Sequence, residues 1–262
     1  DISRRVAGQE NDGQEEMKSQ TIFGIHAVSA RIRMKPETVH EVFVDQSRRD
    51  NRMNKLLETA KAQNLRVMNV SAERLDGMTG HARHQGIAAH VEPTRLPQFI
   101  DDVLDTLDVP PFLLVLDGVT DPHNLGACLR VADAAGCHAV IAPKDRSVGL
   151  TATAMKVASG AAESIPYIVV TNLSRTLLQL KERNVWIVGA DEGGTTPLFG
   201  AKLTGPLAWV LGAEGEGLRR LTRERCDEIV SIPMFGSVES LNVSVAAGVC
   251  LFEARRQRES AK

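Results

Sequence analysis

From Pro111 onward the chain alternates short apolar runs with amphipathic stretches, and no other feature constrains the fold as strongly. The runs FLLVLDGV, HAVIAP, IPYIVV, VWIVGA, LAWVLG and EIVSIP read as strands. Helical patterns lie between them: Asn124 to Gly136, around Thr153 to Ser159, Leu173 to Arg183, around Leu218 to Cys226, and finally Val243 to Arg256. Strands that alternate with helices and lack a polar face imply an α/β domain with a mostly parallel sheet covered on both sides. Ligand sites in such sheets gather beyond the carboxyl ends of the strands.

The remainder of the chain reads differently. Residues 1–20 are polar, rich in Glu, Gln and Gly, and lack the apolar segment of a signal peptide, so they are expected to be a disordered leader. Residues 21–92 mix β-branched runs such as VHEVFVDQ, LRVMNVS and GIAAHVE with amphipathic stretches such as RRDNRMNKLLETAKAQN, and read as a small α/β domain. Residues 93–110 hold three prolines and four aspartates and are expected to be a linker with a short helix, leaving 111–262 as the second domain. A net charge of −2 is unpromising for nucleic-acid binding, but the distribution matters more than the sum. Nine lysines and arginines from Arg33 to Arg74, and five of the seven histidines, make the amino-terminal half mildly basic. No apolar run approaches the roughly 20 residues of a membrane span. Cys128, Cys137, Cys226 and Cys250 form no C-x-x-C pair and are expected to be reduced thiols of a cytoplasmic protein.

Three strand ends carry unusual loops. The first, DGVTDPHNLGACLR, places Asn124 where an N-cap is expected and Arg130 six residues on, among small and apolar neighbours. An arginine there is expected to be paired or to face a polar cleft. The second, LGAEGEGL from Leu211, has three glycines that let the backbone approach a ligand, but Glu214 and Glu216 would repel a phosphate. A carboxylate such as Glu214 suits a hydroxyl, an amine or a cationic ligand. The third, IPMFGSVESLNVSVAAG, offers Ser240 and Asn242 either as caps for the last helix or as polar groups for a ligand.

Together these stretches resemble the three motifs of the SpoU family of SPOUT-class methyltransferases: DGVTDPHNLGACLR the first, LGAEGEGLRRLTRE the second and SIPMFGSVESLNVSVAAG the third. The similarity continues through KDRS, ASGAAES and VTNL and into FGIHAV and HQGI, and so covers nearly everything after the leader. It is strongest to members that methylate the 2′-oxygen of a guanosine in the peptidyl-transferase P-loop of 23S rRNA. The resemblance implies a carboxyl-terminal domain tied in a trefoil knot, an L30e-like RNA-binding domain before it, and a homodimer formed through the knotted domain. It also implies S-adenosylmethionine as methyl donor, held by backbone groups around Leu211, Gly212, Ile232, Pro233 and Leu241. Asn124 and Arg130 would face the substrate, supported by Glu214, Ser240 and Asn242.

Displacement at a sulfonium by a ribose hydroxyl needs the oxygen held in line and its proton removed. No metal is expected, since no His/Cys cluster has ligand spacing. In the family Arg130 would be the general base; an arginine stays charged below about pH 12, so a phosphate clamp that stabilises developing negative charge is the physically conservative role. Three rivals stand beside this reading. A silent RNA binder of the same fold would show departures at the motif residues, and none is present. A dinucleotide-binding enzyme would show a G-x-G-x-x-G turn after its first strand, which is missing. The same chemistry on tRNA is compatible with all three motifs.

Overall fold

The computed structural model describes residues 19–48, 50–93, 96–213 and 215–261. The chain divides into two compact units, one up to Thr94 and one from Arg95. Residues 1–18 of the expected leader lie outside the described residues, as does Glu214.

The first unit runs β1 (Gln20–Phe23), α1 (Ile25–Met34), β2 (Val39–Asp45), α2 (Asn51–Ala62), β3 (Val67–Val70), α3 (Ala72–Thr79) and β4 (Ile87–Val91). Its sheet has the order β1-β4-β2-β3, with only β2 and β3 parallel. Side chains alternate across β2: Val42 and Val44 pack with Val28, Ile32, Met53 and Leu56, while Phe43 turns to Leu75 on the other face. Asp50 and Ser71 cap α2 and α3 by accepting backbone N–H bonds, as their residue types favour. Neither β1 nor α1 stands out in the sequence. A strand of four residues gives little periodicity, and α1 buries Arg31, whose guanidinium donates to the carbonyl of Glu92 at 3.0 Å.

The second unit runs α4 (Ile100–Leu104), β5 (Phe112–Asp117), α5 (Pro122–Ala135), β6 (Ala139–Pro143), α6 (Ala152–Ala158), β7 (Tyr167–Val170), α7 (Leu173–Glu182), β8 (Trp186–Ala190), β9 (Thr196–Pro197), β10 (Leu207–Gly212), α8 (Arg220–Arg225), β11 (Glu228–Ser231) and α9 (Val243–Ser260). The strands form one sheet of order β7-β6-β5-β10-β8-β11-β9, and every pairing is parallel. Along β5 the apolar run divides by period two. Phe112, Leu114 and Leu116 pack with Trp209 and with Leu125, Leu129 and Leu251 of α5 and α9. Leu113 and Val115 face the opposite layer, with Ile100 and Val103 of α4 and Leu173, Leu177 and Leu180 of α7. Both faces are therefore covered, as the continuous apolar strands imply. Among the described residues no helix is long and apolar enough to cross a membrane.

Two helix ends differ from expectation in a way that bears on the site. Asp121, not Asn124, caps α5: its carboxylate accepts from the N–H groups of His123 and Asn124, and Pro122 fills the first helical position, where its missing N–H is harmless. At the other end of the unit, α9 is fixed by Arg255, which donates to the carbonyls of Ala135 and Gly136, and by Arg258, which donates to Thr204, Gly205, Pro110 and Pro111. Arg258 also lies 4.6 Å from the centre of the Phe112 ring. All four cysteines are free, and burial pushes their thiols up to about 12, so they stay protonated and act as small apolar groups.

Near this anchor the Phe112 N–H donates to Nδ1 of His138 at 3.0 Å, which requires an unprotonated Nδ1. Burial, aided by Arg258 and Arg255, holds the His138 imidazole below its usual value of 6.5. The unfolded chain therefore takes up this proton before the folded one does. The stabilisation is complete above about pH 7 and is lost as pH falls through the unfolded value near 6.5. Urea unfolding is expected to show a lower midpoint at pH 5.5 than at pH 7.5, with a smaller difference in His138→Gln. An equal difference in the variant would assign the pH dependence elsewhere.

Candidate methyl-donor cavity

The site follows from strand order. Because β10 is inserted between β5 and β8, and β11 lies beyond β8, the loops that leave β8, β10 and β11 emerge side by side at one edge of the sheet. They enclose a cavity of about 240 Å³ lined by Ala190–Glu192, Leu211–Ala213, Gly215–Gly217, Ile232, Met234, Glu239–Leu241, and Val243 and Ala246 of α9.

The loop after β10 is folded back on itself. Gly217 donates its N–H to the Ala213 carbonyl at 3.0 Å, and the two residues form a short antiparallel bridge. This return brings the Gly217 carbonyl onto Gly212 so closely that a side chain at Gly212 would overlap it. Gly217 itself takes φ of 65°, and a Cβ there would sit 2.8 Å from Asp191 Oδ2. These two glycines are demanded by close approach of backbone to backbone and of backbone to a carboxylate.

Asp191, just past the end of β8, organises the far side of the loop. Its carboxylate accepts from the N–H of Leu218 at 3.1 Å, from the N–H of Gly193 at 3.1 Å and from Arg223 at 2.5 Å. Burial alone would raise this carboxyl, but the two N–H groups and the guanidinium outweigh it and hold the group below the usual carboxylate range. On the near side, Arg219 donates from Nε to Asp117 Oδ1 at 2.6 Å, and Asp117, the last residue of β5, is fully buried.

The sequence-derived residues divide into groups. Leu211, Gly212, Ile232 and Leu241 line the cavity, and Pro233 falls between two lining residues without lining it. Ser240 is exposed at its rim. Glu214 lies outside the described residues, between Ala213 and Gly215. Asn124 and Asn242 are joined by a hydrogen bond from Asn242 Nδ2 to Asn124 Oδ1 at 3.0 Å, which ties the start of α5 to the start of α9. Asn242 also caps α9, accepting from the N–H and hydroxyl of Ser244. Arg130 is exposed and does not line the cavity. It shares the solvent stripe of α5 with His123, seven residues or about two turns earlier, and makes no ion pair with a described residue. Its small neighbours therefore mark a packed face beside it and not a buried arginine. The residues that sequence reading missed are Asp191, Glu192 and Glu239; only the order of strands brings them to the cavity.

The lining is acidic. Asp191, Glu192, Glu216 and Glu239 contribute carboxylates, and no lysine or arginine is among the described lining residues. With apolar side chains from Leu211, Ile232 and Leu241, the cavity suits a ligand that carries both apolar surface and positive charge. Among the described residues no three His, Cys, Asp or Glu side chains converge to hold a metal. Gly212→Ala is expected to force the loop outward, weakening ligand binding at least tenfold while the melting temperature moves by only a few degrees. Calorimetric titration with S-adenosylmethionine beside a melting curve checks this; wild-type affinity would show that the loop is not part of the site.

Residues 111–252 match the model of the SpoU rRNA Methylase family, and residues 21–97 match that of RNA 2′-O ribose methyltransferase substrate binding. The chain is 59% identical to the 23S rRNA (guanosine-2′-O-)-methyltransferase RlmB of Ralstonia nicotianae over 241 residues, 92% of this chain and 97% of that one. To the protein of the same name from Escherichia coli K12 it is 57% identical, covering 92% and 99%. Among solved structures, the SpoU methyltransferase AviRb of Streptomyces viridochromogenes in complex with AdoMet superposes with a TM-score of 0.66 at 25% identity, over 92% of this chain and 91% of that one. The family model spans more than half of the chain and the relatives match it over nearly their whole length, so the chain belongs to the SpoU rRNA methylase family.

Proposed function

We propose that this protein transfers a methyl group from S-adenosylmethionine to the ribose 2′-oxygen of a guanosine in 23S rRNA, at the peptidyl-transferase P-loop. One observation carries the reading. Three stretches far apart in sequence converge: the second and third motifs wall the cavity, and the Asn124–Asn242 bond ties the first motif to the third. The relatives named for this reaction on 23S rRNA, at more than half identity over nearly their whole length, supply the substrate.

When bound, S-adenosylmethionine supplies an electrophilic methyl group on a cationic sulfur. The chain's own residues do the rest. Leu211, Ile232 and Leu241 would offer apolar surface to the donor, and the backbone at Gly212 and the neighbouring loop would offer it hydrogen bonds that carry no side-chain signature. The carboxylates of Glu192, Glu216 and Glu239, which form no salt bridge among the described residues, favour a positively charged donor. Asn124 is assigned to face the incoming ribose, with Ser240, Glu214 and Asn242 assigned to support it. Arg130, exposed on α5, is the residue for the substrate phosphate. A guanidinium holds a phosphate in a bidentate grip and stabilises negative charge growing on the 2′-oxygen while that oxygen's proton passes to water. The amino-terminal unit is assigned to RNA selection, since RNA is read through single-stranded loops and shape. We further assign the protein to the cytoplasm, as a homodimer through its carboxyl-terminal unit, with the trefoil knot of its family.

Tritium transfer from labelled S-adenosylmethionine to unmodified 23S rRNA, total tRNA and DNA, followed by nuclease mapping, tests the substrate. Label in a single 2′-O-methylguanosine of the 23S P-loop is expected; label in tRNA would keep the chemistry and replace the substrate. Arg130→Ala is expected to lower the rate below a tenth of wild type, a loss of at least about 1.4 kcal/mol of transition-state stabilisation. A variant above that level would remove Arg130 from the reaction. Deleting residues up to Glu92 is expected to preserve donor affinity and abolish selective methylation of full-length rRNA; selective labelling by the truncated protein would contradict this division of roles.

A further inference from the structure

Resting on the reading of the cavity as the donor site, we propose that Arg219 and Arg223 are positioning residues that hold the loop between β10 and α8 in its donor-binding shape. Both flank the start of α8, four residues apart and so about one helical turn, yet they reach in different directions. Arg219 engages Asp117 at the end of β5 through both Nε and Nη2. Arg223 engages Asp191 beyond the end of β8 at 2.5 Å and the carbonyl of Gly193 at 3.0 Å. Because β5 and β8 are the two neighbours of β10, the loop that leaves β10 is fastened to the strand end on either side of it.

The two fastenings are not interchangeable with other contacts. Asp117 is fully buried, and its second oxygen has no partner among the described residues, so Arg219 is its compensating charge. Asp191 belongs to the cavity wall and also accepts the N–H of Leu218, where the loop exits. Loss of Arg223 therefore frees a wall residue and the end of the loop together. Neither arginine lines the cavity, so each acts through the loop and not on the ligand. A planar guanidinium can satisfy two acceptors at fixed geometry where an ammonium satisfies them singly, so lysine is expected to restore part of the function.

The test compares R219Q, R223Q, R219K and R223K with R220Q, whose arginine pairs with Glu224 on the exposed side of the same helix. Donor affinity is read by calorimetry with S-adenosylmethionine, and steady-state parameters are read with rRNA. The glutamine variants are expected to weaken donor binding and raise its KM by five- to twentyfold, with KM for RNA unchanged and kcat at saturating donor reduced much less. The lysine variants should fall between them and wild type, and R220Q should match wild type. Because R219Q leaves a buried carboxylate uncompensated, the double variant D117N/R219Q gives a second reading should the single one not fold, and the same loss of donor affinity is expected. Reduced kcat with unchanged donor affinity would mean general destabilisation and would overturn the proposal, as would wild-type donor binding by R223Q and the double variant. Absence of donor binding by the wild-type chain would overturn the cavity reading and this proposal with it.

Discussion

The insertion of β10 between β5 and β8 is the constraint on which the site depends. It places three parallel strand ends in a row, and the chain leaving the middle one has nowhere to go but back over its own start. Gly212 can carry no side chain because the Gly217 carbonyl lies against it, and the returning loop becomes one wall of the cavity. The acidic residues beside that loop belong to elements distant in sequence: Asp117 ends β5, Asp191 follows β8 and Glu239 precedes α9. Fold and site are thus a single arrangement, in which the apolar pairing of strands decides which polar groups meet.

Asn242 shows how economically the third motif is used. One side chain caps α9 through Ser244 and holds Asn124 on α5 through its amide. The same residue that lets α9 begin also ties the start of α5 to the start of α9. At its far end α9 is held by Arg255 and Arg258 against backbone carbonyls at the end of α5 and just before β5 and β10, so the helix is fixed at both ends.

Much of this was legible in the sequence because the parallel sheet leaves a strong pattern. The six residues from Phe112 to Asp117 are buried on both faces, and an apolar run of that kind has few other readings. Leu211, Gly212, Ile232 and Leu241 were reached through motif resemblance, and they line the cavity. The N-cap of α5 was misplaced by three residues because Asn and Asp cap equally well in isolation, and only Pro122 after Asp121 distinguishes them. Asp191, Arg219 and Arg223 carried no signal of their own. Their roles come from contacts across 32 and 102 residues of chain, which depend on strand order and leave no periodicity. The short β1 and β9 were missed for the opposite reason, being too brief to show a period at all.

The central claim is that the donor binds where the second and third motifs meet. Hydrogen exchange of the full chain with and without S-adenosylmethionine tests it most directly. Protection is expected to rise in residues 211–218, 190–193 and 232–246 and to remain unchanged in the sheet of residues 20–91. Protection confined to the amino-terminal unit, or absent from the loop after β10, would contradict the account.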